Sequence, residues 1–134
     1  MERKRKSDKE KAKNLIISAE KEVLFTLTIP VSQSSSNTII KNIYESFRML
    51  GESILINRGI EFTDHIQSIN ELINLNLSTK RPLALLDNLR RLRHKINYDG
   101  YGSTIEEANE AVSIAKTLFK QLKKEVEENI KTSK

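Results

Sequence analysis

Apolar side chains recur every three or four positions along most of the chain, which is the spacing of one face of an α-helix. This periodicity predicts five helices. The first covers residues 7–27, with Ser7 and Glu10 as a capping box, and it stops before Pro30. Residues 23–29 also alternate in the manner of a strand, but the length of the apolar pattern favours a helix.

Polar capping residues and a glycine delimit the second and third predicted helices. Ser36 or Asn37 can cap the start of the second helix, and Gly59 suits a left-handed C-terminal cap. Thr63 or Asp64 starts a shorter third helix. His65, at the start of that helix, is interpreted as a capping or core-edge residue.

The last two predicted helices have comparable start signals. Thr79, with Pro82 in the first turn, opens the fourth helix. Ser103 and Glu106 form a capping box for the fifth helix, which we expect to fray near Ile130.

Amphipathic helices joined by short connections pack most simply as a bundle. The expected fold class is therefore all-α, an antiparallel bundle of four to five helices. Residues 1–134 are expected to form one domain, with the basic segment 1–6 and residues 130–134 as disordered tails. Tyr44 and Phe47 lie at helical spacing and are expected in the core or at a dimer interface.

Composition excludes several classes of protein. The chain has 134 residues with no cysteine, two histidines, four glycines and two prolines. A disulfide framework and a Cys-ligated metal site are excluded, no metal or other cofactor is expected, and a turn-rich β-sandwich is disfavoured. No apolar run has the roughly 18 residues that a membrane span needs.

Charge points toward a polyanionic partner. Lys and Arg number 23 against 18 Asp and Glu, a formal net charge of +5. The basic Met1–Lys6 segment looks like the start of a signal peptide, but residues 7–11 are polar where an apolar stretch would have to follow. We therefore expect a soluble, cytoplasmic protein without membrane contact.

The highest density of cations lies at the end of the fourth helix, in residues 90–95. Arg90, Arg93 and Asn97 share one helix face because they lie three and four positions apart. Arg91 and Lys95 point elsewhere and are interpreted as partners of the helix dipole. Other polar residues follow directly, and the candidate binding set is Arg90, Arg93, His94, Asn97, Tyr98 and Asp99.

This set has the parts of a phosphate site. A guanidinium can hold a phosphate through paired donors, and an imidazole with a pKa near 6.5 can transfer a proton at neutral pH. A metal-independent ribonuclease needs a cation for the phosphate and a group that takes the ribose 2′-hydroxyl proton. Arg93, His94 and Tyr98 are the candidate catalytic residues.

Residues 39–127 resemble the HEPN domain family, small all-α bundles of prokaryotes and higher eukaryotes. The similarity lies in the second-helix text Ile43-Tyr-Glu-Ser-Phe47 with the following turn, and in Leu92-Arg-His-Lys-Ile-Asn-Tyr-Asp99 before a long final helix. The resemblance implies a homodimer whose two signature regions meet in one cleft. For many members it also implies metal-independent RNA cleavage, in toxin–antitoxin or defence systems, beside a minimal nucleotidyltransferase partner.

The chain departs from the family's nuclease motif at the histidine. That motif has an arginine, a polar residue, and a histidine four to six positions beyond the arginine. Arg93 and His94 match its start, but Tyr98 stands in the histidine position, and no histidine follows within the range. The Arg…Tyr-Asp signature therefore resembles a branch of the family whose catalysis is in doubt.

Three functions remain open. The first is an RNA- or nucleotide-binding module, which the missing histidine favours. The second is an endoribonuclease using Arg93 with His94 or Tyr98, although a tyrosine pKa near 10 makes Tyr98 a poor base and His94 leaves the helix about 100° from Arg93. The third is a structural dimer in which the arginines only cap a helix.

Overall fold

The computed structural model describes residues 3–4, 7–61 and 64–132. Within these ranges the chain forms five α-helices and one antiparallel pair of two-residue strands, Arg3 opposite Glu61 and Lys4 opposite Ile60. The predicted all-α helical bundle is confirmed. The elements in chain order are β1 (Arg3–Lys4), α1 (Lys9–Thr26), α2 (Ser36–Asn57), β2 (Ile60–Glu61), α3 (His65–Ile73), α4 (Leu85–Tyr98) and α5 (Ile105–Thr132).

Helix α2 is the centre of the bundle, because each of the other four helices packs against it. Phe47 of α2 meets Phe119 of α5 edge to face, with ring centroids 5.6 Å apart. Burial of one such side chain stabilises the fold by about 1.5–3 kcal/mol. The apolar side chains that α2 buries are Ile39, Ile40, Ile43, Tyr44, Phe47, Leu50, Ile54 and Leu55.

Hydrogen bonds between element ends show how the helices run. The Asp8 amide donates to the Ile56 carbonyl at 3.2 Å, so the start of α1 lies beside the end of α2 and the two helices are antiparallel. The Ser36 hydroxyl donates to the Thr104 carbonyl at 2.9 Å, so α2 and α5 start at the same end and run parallel. The long connection through α3 and α4 makes the parallel pair possible.

The start of α1 differs from the prediction by one residue. The carboxylate of Asp8 accepts from the Lys11 amide at 2.9 Å, so Asp8 caps the helix and the Ser7–Glu10 capping box is wrong. A carboxylate at this position also interacts favourably with the helix dipole. The chain stays helical through Thr26, so residues 23–26 are not part of a strand. Pro30 lies beyond the end of the helix.

The starts of α2 and α5 are joined by buried polar contacts. Asn37 Oδ1 accepts from the Ser103 amide at 2.9 Å and from the Ser103 hydroxyl at 2.6 Å, and the Ser36 and Ser103 hydroxyls are in contact. Ser35, and not Ser36 or Asn37, is the N-cap residue of α2.

The capping box of α5 lies one residue later than predicted. The Thr104 amide donates to Glu107 Oε1 at 2.9 Å, and the Glu107 amide donates to the Thr104 hydroxyl at 3.0 Å. The Ser103–Glu106 pair is therefore wrong, because the Ser103 hydroxyl is committed to α2.

Helix α4 begins later than the sequence indicates. A turn precedes it, in which the Leu85 amide donates to the Pro82 carbonyl at 3.1 Å and the Leu86 amide to the Leu83 carbonyl at 3.0 Å. Regular helix starts only at Leu85, so the predicted opening at Thr79 and Pro82 is wrong. Thr79 instead donates its hydroxyl hydrogen to the Arg81 carbonyl.

Two other predicted helix boundaries are confirmed. Gly59 has φ +71°, the left-handed conformation expected after α2. Asp64 caps α3 by accepting from the Gln67 amide at 3.2 Å. Thr63 and the His65 side chain lie outside the described residues.

The C-terminal end of α5 extends past the point where the sequence predicts fraying. Ile130 is 2% exposed, and regular helix continues through Thr132. Ser133 and Lys134 lie outside the described residues, and of segment 1–6 only the β1 backbone is described. No helix within the described ranges is long and apolar enough to cross a bilayer.

Candidate nucleotide-binding cleft

A cleft of about 390 Å³ opens where α4 crosses α2 and the start of α3. Its volume falls in the range of about 300–1,000 Å³ that is usual for small-molecule sites. We name it the α4 cleft; its lining residues are Tyr44, Asp64, Ile66, Arg90, Arg93, His94 and Tyr98. Four of the six predicted site residues therefore line one cleft.

Arg93 is the central cation of this cleft. Its Cζ lies 5.5 Å from the centroid of the Tyr44 ring, a cation–π contact between α4 and α2. The Asn97 amide, with its oxygen toward the guanidinium, accepts from Arg93 Nη2 at 3.1 Å and Nε at 3.0 Å. Arg93 and Asn97 thus share a face, as their spacing predicts.

Arg93 also differs from the neighbouring arginines in its charge balance. Arg90 Nε lies 2.8 Å from Asp87 Oδ1, and Arg91 Nε lies 2.9 Å from Asp87 Oδ2. One carboxylate therefore offsets both of those guanidinium charges in part. Arg93 forms no ion pair with any residue in the described part of the chain.

The rim of the α4 cleft is aromatic. The rings of His94 and Tyr98 lie 4.6 Å apart between centroids and are tilted by 40°. Tyr98 is 70% exposed, so one face of this pair is accessible to solvent. Such a surface can stack a nucleobase, because every base has a π face.

His94 and Asp99 differ in their position relative to the α4 cleft. Helical geometry sets the side chains of Arg93 and His94 about 100° apart around α4, and both line the α4 cleft. Asp99 does not line it; this exposed residue is the C-cap of α4, and its amide donates to the Lys95 carbonyl. Arg91 and Lys95 lie outside the cleft, as predicted.

Tyr44, which periodicity assigns to the core or a dimer interface, has a side chain that is 1% exposed and so lies in the core. The same ring forms the floor of the cleft beneath Arg93. Burial raises the pKa of Tyr44 to about 12, while the charges of Arg93 and Arg48 act in the opposite direction. The phenol therefore remains protonated at neutral pH and serves as a neutral platform for the guanidinium.

Asp64 and Ile66 line the α4 cleft but are missing from the predicted site. They lie about 25 residues before the cationic segment of α4 along the chain. The sequence indicates Asp64 only as a possible helix cap, and Ile66 only as an apolar position of α3. Neither residue type signals a site by spacing. Their place in the cleft follows from the packing of α3 against α2 and α4.

The chain matches no family model, and no curated protein or solved structure is significantly similar to it. The residues themselves therefore carry the functional argument. Within the described ranges, no three His, Asp or Glu side chains lie close enough together to hold a metal ion.

Proposed function

We propose that the chain is an RNA- or nucleotide-binding module and that the α4 cleft is its binding site. One observation carries this proposal: Arg93, without an ion pair among the described residues, lies beside the exposed His94–Tyr98 ring pair. A guanidinium binds a phosphate, and an aromatic pair stacks a base. Together the two features match the two chemical parts of a nucleotide.

The resemblance to HEPN domains supports the wider context of this proposal. Two copies would form a homodimer that brings two α4 clefts together. A minimal nucleotidyltransferase would be the protein partner, in a toxin–antitoxin or defence-type system. Sedimentation equilibrium of the purified chain tests the homodimer directly.

The binding test uses fluorescence anisotropy of a labelled single-stranded RNA across a salt series. We expect saturable binding that weakens with salt, and Arg93→Ala should weaken it about tenfold. The slope of log K against log salt should fall by about 0.7, the value for one phosphate contact on a single strand. Arg91→Ala is the matched control, because Arg91 carries the same charge on another face of α4 and lies outside the cleft.

The aromatic rim gives a second, independent arm of the same experiment. Tyr98→Ala should weaken binding by about 1–3 kcal/mol, and Tyr98→Phe should retain it, because stacking needs the ring and not the hydroxyl. Absence of RNA and nucleotide binding at low salt, or equal losses from Arg91→Ala and Arg93→Ala, would contradict the proposal.

The second candidate is a metal-independent endoribonuclease. The observation that favours it is the presence of Arg93 and His94 in one cleft, with Tyr98 beside them. In that reaction His94 or Tyr98 would take the 2′-hydroxyl proton while Arg93 stabilises the phosphate charge. Cleavage of RNA in EDTA by the wild type, abolished by Arg93→Ala and by His94→Ala, would support the enzyme over the binding module.

A further inference from the structure

A second concave surface lies between α1 and α5 and shares no lining residue with the α4 cleft. Lys9 lies near Ile130 at one end and Leu27 near Ala115 at the other, so the two helices are antiparallel. Two adjoining cavities of about 540 and 530 Å³ run along them and share Glu20, Lys123 and Glu127. We name this surface the α1–α5 groove.

The floor of the α1–α5 groove is apolar. Ile16, Val23 and Phe119 are buried at its base. Ile17 and Leu24, seven positions apart on α1, line it with exposures of 52% and 59%. Contiguous exposed apolar surface with a polar rim is typical of a protein interaction site.

The rim of the groove is strongly basic. Four lysines line each cavity with Lys123 in common, so seven lysines face two glutamates. Lys123 Nζ lies 3.4 Å from Glu20 Oε2 and 3.3 Å from Glu127 Oε2, so one lysine offsets the charges of the two glutamates in part. Lys116, Lys120 and Lys124 form no ion pair with other described residues. The rim therefore retains an excess of positive charge.

We propose that the α1–α5 groove binds an amphipathic helix of a partner protein, with leucine-type side chains on one face and acidic residues on both flanks. An apolar face fits the floor of the groove, and acidic flanks face the lysines on its rim. The 18 residues of α1 set the length of the groove at about 27 Å, or five turns of a bound helix.

Shape and charge disfavour other occupants. A symmetric contact with a second copy would bring the lysine rims of the two chains together, with repulsion between like charges. A flat bilayer surface does not match a concave groove between two helices. Single-stranded RNA would need exposed rings for stacking, and Phe119, the one aromatic side chain among the described lining residues, is 5% exposed.

The test uses a labelled synthetic helix of 18 residues, as long as α1, with leucines on one face and glutamates on the flanks. Its controls are a scrambled peptide of the same composition and a peptide with lysine in place of glutamate. We expect anisotropy to show binding at least about tenfold tighter than that of either control. Added salt should weaken that binding, because the flanking charges lie near solvent.

Matched variants localise the peptide on the protein. Leu24→Glu should weaken binding about tenfold, whereas Phe25→Glu should not, although Phe25 is equally exposed at 62%. Lys120→Glu should also weaken binding, whereas Lys21→Glu, the same charge change on α1 outside the groove, should leave it unchanged. Because these positions are exposed, circular dichroism should show that each variant folds.

Further measurements separate the other occupants. Because the chain has no cysteine, Leu24→Cys accepts a single environment-sensitive fluorophore. Its emission should shift to the blue with the acidic peptide and not with the lysine peptide. A shift with anionic vesicles or single-stranded RNA alone, self-association that Leu24→Glu abolishes, or equal binding of all three peptides would overturn the proposal. The α4 cleft does not enter this test, so its result is independent of the proposed function.

Discussion

The guanidinium of Arg93 lies over the ring of Tyr44, with Cζ 5.5 Å from the ring centroid. Tyr44 belongs to the central helix α2, whereas Arg93 belongs to α4. The contact therefore packs a cation of the candidate site against a ring of the buried core. A cation–π contact of this kind contributes about 0.5–2 kcal/mol. The phosphate-binding candidate thus packs on a residue that the apolar pattern assigns to the core or to a dimer interface.

Tyr44 should make stability depend on alkaline pH. Its folded pKa is raised to about 12 by burial, and an unfolded tyrosine has a pKa of about 10. The unfolded state therefore releases the proton first as the pH rises, and stability falls between about pH 10 and 12. At about pH 11 the loss is about 1.4 kcal/mol relative to pH 8.

Tyr44→Phe isolates this contribution, because the variant keeps the ring and lacks the ionisable group. Urea unfolding of both proteins near pH 8 and pH 11 should show the wild type losing more stability than the variant. An unchanged difference between the two proteins would mean that Tyr44 is solvated in the folded state.

The residue at position 97 should determine how strongly Arg93 binds the phosphate of a ligand. Asn97→Asp would place a carboxylate where the amide oxygen now accepts from Nη2 and Nε, so it would form an ion pair with the guanidinium. We expect RNA or nucleotide affinity to fall about tenfold, because the ligand phosphate competes with the new charge. Asn97→Ala, which removes the acceptor without adding charge, should cost less.

The measurement is anisotropy of labelled RNA at one low salt concentration, with Asp99→Ala as a control outside the cleft. If Asn97→Asp binds as well as the wild type, Arg93 does not contact the ligand.

Gly51 should tolerate no side chain. A Cβ at this position would lie 1.9 Å from the carbonyl oxygen of Ser68, which is backbone of α3 and cannot rotate away. Gly51→Ala must therefore separate α2 from α3, at a cost of about 2–4 kcal/mol. The start of α3 contributes Asp64 and Ile66 to the α4 cleft, so ligand affinity should fall as well.

Gly102→Ala is the matched control, since its added methyl group would have no atom of a described residue within 4 Å, apart from its own and its chain neighbours'. Thermal unfolding followed by circular dichroism should show little change for this variant and a lower Tm for Gly51→Ala. Equal Tm values would contradict the close helix contact.

Hydrophobic periodicity was sufficient to predict the five helices, because burial of one face of each helix dominates the energetics of the bundle. It could not determine the capping register at α5. Residues 103–107 read Ser-Thr-Ile-Glu-Glu, so Ser103 with Glu106 and Thr104 with Glu107 both fit the capping-box pattern. Contacts of Ser103 with Asn37, more than sixty residues away, decide between them.

The candidate site was predictable only along α4. Local spacing placed Arg90 and Arg93 on one face, because both belong to one helix. Tyr44 and Asp64 enter the α4 cleft through the packing of α2 and α3, and no local pattern carries that information. A buried tyrosine also looks the same in sequence whether its ring contacts leucine or a guanidinium.

Glu107 should stabilise the fold more at neutral pH than in acid. Partial burial favours its protonated form, but hydrogen bonds from the Thr104 amide, the Tyr101 hydroxyl and the Thr104 hydroxyl, with the nearby Lys95 charge, outweigh it and lower the pKa of Glu107. A lowered folded pKa gives stability that is present above the unfolded pKa and is lost as the pH falls through the folded value. The contribution of Glu107 should therefore be complete above the unfolded pKa of about 4.3 and decline as the pH falls below it.

Glu107→Gln tests this expectation, because glutamine keeps the shape and one acceptor but cannot carry charge. The variant should be less stable than the wild type by about 0.5–1 kcal/mol near pH 7, the scale of a capping interaction. The two unfolding curves should converge as the pH falls through the folded pKa of Glu107, because the wild-type carboxyl is then also neutral. Glu106→Gln lies one residue earlier on α5 and outside the capping box. Its difference in stability from the wild type should change less with pH. If Glu106→Gln instead shows the larger change, the capping register at Thr104 is wrong.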